Sequence, residues 1–560
     1  MRAFWRAWAT SAPDSAPRLT FSATVEQALL AASVFFALAA NRPFFAAALR
    51  GQEVSSAAAW GFVAALVVLL AAAHFLLMGL VATRRTLKPL LAVLIVASAL
   101  ASYYTLRYGV YFDTSMVRNV LRTDFGEARE LVSPALWLHL LLYAMLPLAL
   151  LWRVRVVRRP LLRAALVRAA TMLVAALAVV GSVLAVSQPF FALMRNHREV
   201  RYLITPGAAV WSLGAVLARD SRQAARPLQP IGLDAAPGPL WSQRSKPMLL
   251  VLVVGETARA ANWGLDGYAR QTTPELAALP ALINFSDVTA CGTSTEVSLP
   301  CMFAPVGRRD YDERRIRGSQ GLLHVLARAG VAVHWRDNQS GCKRVCEGLS
   351  HDSVKDLAPP GLCHAGRCLD EGLLAGLDQR LAQASGTQLL VLHQLGNHGP
   401  SYFRRHPGAF ARFEPECRSD DLQRCTREEI VNAYDNALLY TDHVLAQLIR
   451  QLAAHADRVD SAMLYVSDHG ESLGENRLFL HGIPYAIAPD VQTRVPMVFW
   501  ASPGFAAAAR LDLACLRQRS RASASHDNLF HTVLGLLDVR TSLYEPQWDS
   551  SAACRGAPAR

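Results

Sequence analysis

The stretch MLLVLVVGETAR, residues 248–259, begins with seven consecutive apolar residues and then changes to the small and polar residues GETAR. A short, continuous apolar run that ends in this way is typical of a strand buried on both faces of a sheet. Four similar runs follow: VAVHW (331–335), QLLVLHQL (388–395), SAMLYVS (461–467) and VPMVFW (495–500). Because segments with helical periodicity lie between these runs, the second half of the chain predicts an α/β domain with a parallel or mixed sheet.

Polar side chains follow three of these predicted strands. Glu256 follows the first, His398 follows the third, and Asp468, His469 and Glu471 follow the fourth. In open α/β sheets, ligands bind beyond the carboxyl ends of the strands, so we expect these side chains to converge. Carboxylates and imidazoles are typical ligands of a divalent metal such as Zn²⁺. Each residue taken alone is also compatible with a loop hydrogen bond, and the sequence leaves that alternative open.

The segment CGTSTEVSLPC, residues 291–301, places hydroxyl side chains and one carboxylate between two cysteines. It predicts the start of a helix, with Ser294 or Thr295 near the cap and Glu296 in the first turn. The backbone N–H groups of such a helix start can bind an anion. A hydroxyl held there and bound to the metal would lose its proton easily and attack phosphorus. The alternative is a capping box that only stabilises the helix.

The first part of the chain is far more apolar than the second. Five apolar runs are each long enough to cross a hydrocarbon core of roughly 30 Å, and they cover residues 21–40, 57–82, 88–106, 135–152 and 166–186. A cleavable signal peptide is the alternative for the first run, but no small-residue cleavage site follows it and four further runs do. We therefore expect a five-helix transmembrane domain over residues 1–190, a bridging segment and linker over 191–245, and a catalytic domain over 246–560.

Basic residues indicate the orientation of the five spans. Arg84, Arg85 and Lys88 lie between the second and third spans, and five arginines lie between the fourth and fifth, at positions 153, 155, 158, 159 and 163. Loops rich in Lys and Arg stay in the cytoplasm, so the N-terminus is predicted to be cytoplasmic and the catalytic domain periplasmic. Residues 107–132, between the third and fourth spans, predict a helix on the outer membrane surface or a solvated loop helix.

The net charge of +13 does not indicate a nucleic-acid partner. Residues 1–190 hold 18 Lys or Arg against 7 Asp or Glu, so most of the excess lies in the membrane half. There it serves as a topology signal, and the second half is almost neutral.

All ten cysteines fall at or after residue 291. Clustered, even-numbered cysteines beyond a membrane anchor predict disulfides in an oxidising compartment. A zinc–thiolate site is the alternative, but there is no CxxC pair with a matching second pair. Spacing predicts these pairs: Cys291 with Cys301, Cys342 with Cys346, Cys363 with Cys368, Cys417 with Cys425, and the remaining Cys515 with Cys554.

Six motifs follow the five spans in order: GETAR, CGTSTEVSLPC, DNQSGCKRVC, NHGP, SDHGESLGE and LHGIPYAIAP. From the first span to about residue 540, the chain resembles the membrane-bound phosphoethanolamine transferases that modify lipid A, within the alkaline phosphatase and sulfatase superfamily. One departure is Met302, which stands where the sulfatase signature after Ser298-Leu299-Pro300 has Arg. The chain lacks a Walker A loop and an HExxH motif, which argues against P-loop and zincin chemistry.

The resemblance implies a role for each matching residue. Thr295 is the nucleophile that becomes modified with phosphoethanolamine, and Glu256, Asp468 and His469 bind one zinc ion together with the Thr295 oxygen. Three further positions hold the donor phosphate or its leaving group, or a second zinc ion, and they are Lys343, His398 and His481. Either histidine suits a general acid or base near neutral pH, and the sequence does not decide between them.

The resemblance also implies the substrates and the cellular setting. Phosphatidylethanolamine is the donor, lipid A is the acceptor, and the expected protein is a monomer of the bacterial inner membrane whose product binds polymyxins and other cationic peptides less well. Three alternatives remain open. They are transfer to another acceptor, such as a lipopolysaccharide core sugar or a periplasmic glucan, a phosphohydrolase of the same superfamily, and a non-catalytic membrane receptor.

Overall fold

A computed structural model describes residues 20–556 except 51–52, 54, 124, 225–226 and 365. The predicted cytoplasmic N-terminus, with Arg2, Arg6 and Arg18, lies outside these residues. The chain divides into two compact units. A membrane unit comprises Met1–Arg107 and Pro134–Ser212, and a catalytic unit comprises Tyr108–Ser133 and Leu213–Arg560.

Among the described residues, four helices are long and apolar enough to cross a membrane: Ala57–Val81, Leu87–Tyr108, Pro134–Arg153 and Leu161–Ala185. A 25-residue helix is about 37 Å long at 1.5 Å per residue, which exceeds the thickness of a hydrocarbon core. Two further helices, Val25–Ala40 and Arg42–Ala48, meet at a bend of 59° and count as a fifth span when taken together. This arrangement agrees with the five spans predicted from the sequence.

Asn41 explains the break between these two helices. The last five residues before it, Phe36–Ala40, form a π-helical turn, and a proline follows in the first turn of the next helix. The Asn41 side chain donates hydrogen bonds to the carbonyl oxygens of Phe36 at 2.8 Å and Thr205 at 2.7 Å. The amide group therefore satisfies backbone acceptors where the regular helix ends, as a helix break inside a membrane requires.

An ion pair joins the first and last apolar helices of the membrane unit. The carboxylate of Glu26 lies 3.2 Å from Arg159 and 3.1 Å from Arg168. Arg168 also donates to the carbonyl oxygens of Gly79 and Ala82 at 2.8 Å each, at the end of the helix Ala57–Val81. A cation at this position satisfies the free carbonyl groups of a helix C-terminus.

The catalytic unit is built on a seven-stranded sheet. Its strands, in chain order, are β1 (Met248–Gly255), β2 (Ile283–Phe285), β3 (Ala332–Asp337), β4 (Ser350–Ser353), β5 (Thr387–His393), β6 (Asp460–Ser467) and β7 (Met497–Ala501). Their order across the sheet is β2-β7-β6-β1-β5-β3-β4. Strand β1 pairs in parallel with β6 and β5, and β5 and β4 each pair in parallel with β3. Strand β7 is antiparallel to β6 and to β2.

The five strands predicted from apolar runs are all present, and β1 and β6 are buried along their whole length. Alternate residues of β1 pack into two separate hydrophobic clusters, one on each face of the sheet. The 28-residue helix Arg427–Ala454 contributes to one cluster, and the helix Asp527–Leu537 contributes to the other. The predicted α/β fold with a mixed, doubly covered sheet is therefore confirmed.

The segment between the third and fourth apolar helices belongs to the catalytic unit. It forms two short helices, α1 (Thr114–Arg122) and α2 (Phe125–Glu130), and Asp113 caps α1 by accepting from the backbone N–H of Met116 at 2.8 Å. Met116, Val117 and Arg118 are buried. The sequence indicated a helix on the membrane surface or in solvent, and it gave no sign of this packing because the partner residues lie far along the chain.

The cysteine pairs predicted from spacing are confirmed. All ten cysteines form disulfides, and the five pairs are Cys291–Cys301, Cys342–Cys346, Cys363–Cys368, Cys417–Cys425 and Cys515–Cys554. Four of the five close loops of ten residues or fewer, and the Cys515–Cys554 pair joins residues 39 apart.

Candidate active site

Three buried side chains form the centre of the site, at the carboxyl ends of two adjacent strands. Glu256 directly follows β1, and Asp468 and His469 directly follow β6. One ligand atom from each residue lies within 4.8 Å of the others. Nε2 of His469 is 3.3 Å from Oε1 of Glu256 and 3.4 Å from Oδ2 of Asp468. The convergence expected from the sequence is therefore found, because parallel pairing of β1 with β6 brings both strand ends to one place.

The donor atoms of this triad suit a divalent metal. Nδ1 of His469 donates to the carbonyl oxygen of Gly470 at 2.9 Å, which leaves the lone pair of Nε2 pointing at the two carboxylates in the neutral ring. Oδ2 of Asp468 is buried and accepts no hydrogen bond from the described residues. Two carboxylates and an imidazole lone pair in a buried place require a cation between them.

Ionisation of the triad supports the same conclusion. Burial and the charge of Glu256 raise the pKa of Asp468 to about 6. Burial alone would lower the pKa of His469, but the carboxylates of Asp468 and Glu256 outweigh it and raise that pKa to about 10. The triad thus holds a positive charge, either a proton on His469 or a metal ion in its place.

Thr295 is the hydroxyl that faces the triad. It is the first residue of helix α3 (Thr295–Met302), and its Oγ1 lies 3.0 Å from Oε2 of Glu256 and 3.4 Å from Nε2 of His469. Ser294 occupies the N-cap but makes no side-chain capping hydrogen bond. The alternative of a capping box is therefore wrong, and the Thr295 hydroxyl is directed to the candidate metal ligands rather than to its own helix.

His526 holds the loop before Thr295 against the strand that carries the triad. The backbone N–H of Cys291 donates to Nδ1 of His526 at 3.0 Å, and Nε2 of His526 donates to the carbonyl oxygen of Ser467 at 2.9 Å. These backbone partners fix the tautomer, since an N–H group only donates and a carbonyl oxygen only accepts. Burial lowers the pKa of His526 to about 4, so the ring is neutral at neutral pH.

A buried cluster of charges surrounds the residue after Thr295. The carboxylate of Glu296 is 2.8 Å from Arg317, 3.3 Å from Arg122 and 3.7 Å from Nζ of Lys343. Burial would raise the pKa of Glu296, but these three cations outweigh it and lower the pKa. Nζ of Lys343 also donates to Oγ of Ser340 at 2.6 Å. The structure thus brings Lys343, a site residue implied by the resemblance, to the side of helix α3.

The two remaining candidate histidines lie next to the triad. The ring of His481 is 4.3 Å from that of His469 and 5.5 Å from that of His398, measured between centroids. Nδ1 of His481 lies 3.1 Å from Oε1 of Glu471, whose Oε2 accepts from the hydroxyl of Tyr402 at 3.1 Å. Burial lowers the pKa of His481 well below its usual value, so this ring is a neutral base or ligand.

The sequence had located every one of these histidines, carboxylates and cations except Arg317, Arg122 and His526, and it had not located the hydroxyl of Tyr402. Arg317 and Arg122 lie in charged segments that resemble ordinary surface, His526 precedes a helix with no motif around it, and Tyr402 follows NHGP. The place of each of these residues in the site follows only from its contact with a partner far along the chain. Glu471 stood in the polar cluster after β6, and its contact with His481 assigns it a supporting position.

A doubly covered α/β sheet with a hydroxyl beside a candidate metal-binding triad is the arrangement of an enzyme of the alkaline phosphatase and sulfatase superfamily. Accordingly, residues 249–539 match the family profile described as Sulfatase. Residues 70–221 match the profile described as Phosphoethanolamine transferase EptA/EptB. The chain belongs to this family of phosphoethanolamine transferases, and it is a multi-pass membrane protein.

Individual relatives align with this chain over most of its length. Phosphoethanolamine transferase EptA of Salmonella typhimurium is 38% identical over 471 residues, which cover 83% of this chain and 85% of that protein. Phosphatidylethanolamine transferase Mcr-1 of Escherichia coli is 38% identical over 518 residues, which cover 90% of this chain and 94% of that protein. The integral membrane lipooligosaccharide phosphoethanolamine transferase A of Neisseria meningitidis superposes with a TM-score of 0.91 at 37% identity, covering 95% of this chain and 99% of that one.

Proposed function

We propose that the protein transfers phosphoethanolamine from phosphatidylethanolamine to a phosphate of lipid A through a covalent phosphoethanolamine–Thr295 intermediate. The observation that carries this proposal is the position of Oγ1 of Thr295, 3.0 Å from Glu256 inside the buried triad. The names of the relatives support phosphoethanolamine as the transferred group, and one relative, from Salmonella typhimurium at 29% identity, is named Kdo(2)-lipid A phosphoethanolamine 7''-transferase.

In the first half-reaction, Oγ1 of Thr295 attacks the phosphorus of the donor. A bond forms between Oγ1 and phosphorus, and the bond from phosphorus to the diacylglycerol oxygen breaks. The hydroxyl proton of Thr295 passes to the carboxylate of Glu256, whose Oε2 lies 3.0 Å from Oγ1. Lys343 and the N-terminus of α3 offer positive potential to the phosphoryl oxygens, which carry more negative charge in the transition state. The leaving diacylglycerol oxygen takes up a proton, and His398 lies near enough to the triad to donate it, whereas the neutral ring of His481 does not suit that role.

In the second half-reaction, a phosphate oxygen of lipid A attacks the phosphorus of the intermediate. The bond between phosphorus and Oγ1 of Thr295 breaks, and Thr295 regains its proton. The histidine that donates a proton in the first step suits the reverse transfer in the second, because the two steps are chemically symmetric. A buried site also keeps water from the intermediate, which favours transfer over hydrolysis.

We propose that the triad and Thr295 hold one Zn²⁺ ion; a second ion held by His398 and His481 is the alternative to a proton-transfer role for these histidines. Oxygen and imidazole donors in this combination are common zinc ligands. Bound zinc would supply Lewis-acid chemistry, lowering the pKa of the hydroxyl of Thr295 and offsetting charge on the phosphoryl group.

The membrane unit and the disulfides favour a position at the outer face of the bacterial inner membrane. The basic loops between spans predict this orientation, and five disulfides require an oxidising compartment such as the periplasm. Donor and acceptor are both lipids, so a membrane anchor confines enzyme and substrates to one surface. The product carries an ammonium group on a phosphate, and we expect weaker binding of polymyxin to membranes that contain it.

The test is the mass of the purified full-length protein after incubation with phosphatidylethanolamine, followed by peptide mapping and then by addition of lipid A. We expect a phosphoethanolamine adduct on Thr295 that disappears into lipid A, and no adduct in Thr295→Ala. Thr293→Ala is the matched control, because Oγ1 of Thr293 donates to the carbonyl oxygen of Ile483 and should leave the adduct intact. If the adduct persists after lipid A is added, the acceptor is another molecule. The absence of any adduct on Thr295 would overturn the mechanism.

A further inference from the structure

A buried ion pair joins the segment that contains helices α1 and α2 to the loop that carries His398. The carboxylate of Glu130, the last residue of α2, accepts from both terminal nitrogens of Arg405, at 3.3 and 2.7 Å. The exposed fractions of the two side chains are 2% and 1%. The same carboxylate lies 2.9 Å from Arg367, which also donates to the carbonyl oxygen of Gly126 at 2.8 Å.

Arg405 uses its third nitrogen on the active-site loop. Its Nε donates to the carbonyl oxygen of His398 at 2.6 Å. The planar guanidinium therefore binds a carboxylate on one side and the backbone of His398 on the other. A guanidinium suits such a bridge because its donors point in fixed directions.

The hydrogen bond from Arg405 to the backbone of His398 matters because the ring of His398 has few polar contacts that fix its position. Nδ1 of this ring is buried and has no hydrogen-bond partner among the described residues. Its ring lies 5.5 Å from that of His481, which in turn lies 4.3 Å from His469. The position of the ring relative to the triad thus depends on where the backbone of His398 is held.

A buried ion pair is a weak reason for stability, since the cost of removing two charges from water largely cancels their attraction. It is a strong reason for a fixed geometry, because the planar fork and the carboxylate meet in one arrangement. Arg405 of this pair donates to the backbone of His398, which lies beside the triad. This placement favours the second role, a fixed geometry.

We propose that Glu130 is a positioning residue for the transfer reaction and acts through Arg405 to hold His398 at the triad. This inference rests on the proposed function. It assigns part of the active-site architecture to a segment that precedes two membrane-spanning helices in the chain. The triad itself does not depend on this contact, because Glu256, Asp468 and His469 come from β1 and β6.

The test is single-turnover formation of the Thr295 adduct by the full-length enzyme with phosphatidylethanolamine. For Glu130→Gln we expect a rate constant about 10- to 100-fold lower than that of the wild type, the usual effect of removing a partner that orients a site histidine. The final amount of adduct should equal that of the wild type. A purely structural role would instead lower the amount of adduct, because fewer molecules are folded, and would leave the rate constant unchanged.

Two further variants complete the experiment. Arg367→Gln is the matched control, since it removes a contact of the same carboxylate without touching the loop of His398, and its rate constant should stay within about twofold of the wild type. Arg405→Lys keeps a buried cation beside Glu130, but one ammonium cannot bridge both acceptors, so it should be slowed as much as Glu130→Gln.

A wild-type rate constant in Glu130→Gln or in Arg405→Lys would overturn the inference, and so would an equal slowing by Arg367→Gln. If Glu130→Gln does not fold, Arg405→Lys still decides the question. The proposed function fails by a different result, which is the absence of a Thr295 adduct in the wild type.

Discussion

Protonation of His526 should break the hydrogen bond that holds the loop before Thr295 against β6. The ring accepts from Cys291 and donates to Ser467, and a protonated ring cannot accept. The folded protein therefore favours neutral His526, with a pKa of about 4 against an ordinary value of 6.5. Between these two values, the unfolded chain binds a proton that the folded protein does not bind. The free energy of unfolding must then fall as the pH falls through this window.

The size of the effect follows from the two pKa values. Integrated from pH 8 to pH 5, a group that titrates near 6.5 when unfolded and near 4 when folded contributes about 2 kcal/mol. Carboxylates elsewhere also titrate over this range, so a comparison with a variant isolates the histidine. His526→Gln suits this purpose, because an amide accepts through its oxygen and donates through its nitrogen but does not titrate.

The assay is urea unfolding of the full-length protein in detergent, followed by tryptophan fluorescence at pH 8 and pH 5. We expect the wild type to lose about 2 kcal/mol more than His526→Gln between the two pH values. His351→Gln, which replaces an exposed histidine, should behave like the wild type. Equal losses in the wild type and in His526→Gln would refute the assignment of the neutral ring.

Three further predictions concern the metal, the buried charges and the disulfides. Asp468→Asn should abolish both metal retention after dialysis, measured by elemental analysis, and formation of the Thr295 adduct. If the variant keeps its metal, Asp468 is not a metal ligand. Glu296→Ala leaves the buried cations of Arg317 and Lys343 without their carboxylate, so thermal unfolding should show a loss of about 3–5 kcal/mol. A loss below about 1 kcal/mol would show that water reaches these cations. Reduction of the disulfides should lower the unfolding temperature of the catalytic unit while the membrane helices remain folded, as followed by circular dichroism, because every cysteine lies in the catalytic unit. Loss of the whole helical signal at the lowered temperature would contradict this, since the helices of the catalytic unit account for only part of that signal.

The centre of the site was predictable because its signals are local. Each of β1 and β6 is a continuous apolar run that ends in ligand-type side chains, and parallel pairing brings Glu256 together with Asp468 and His469. The disulfides were equally accessible, since four of the five pairs lie within ten residues of each other in the sequence. Both predictions depend on features that a short window contains.

The parts that the sequence did not reveal depend on distant contacts. Strand β2 has only three residues, and β4 consists of the polar residues SHDS, so neither shows a strand pattern. The Glu130–Arg405 pair joins residues 275 apart. A charged residue gives no local sign of whether its partner is water or a buried counter-charge, and the sequence therefore left α2 with either a membrane-surface or a solvated interpretation.

This separation of 275 residues also sets an order of events during biosynthesis. At about 5–20 residues per second, the ribosome reaches Arg405 roughly 15–55 s after it has made Glu130. During that interval, Met116 and Val117 have no catalytic unit to pack against, and the chain must insert two more membrane helices. The segment made first therefore waits without its packing partners, and the catalytic unit completes its folding against a piece of chain that was synthesised well before it.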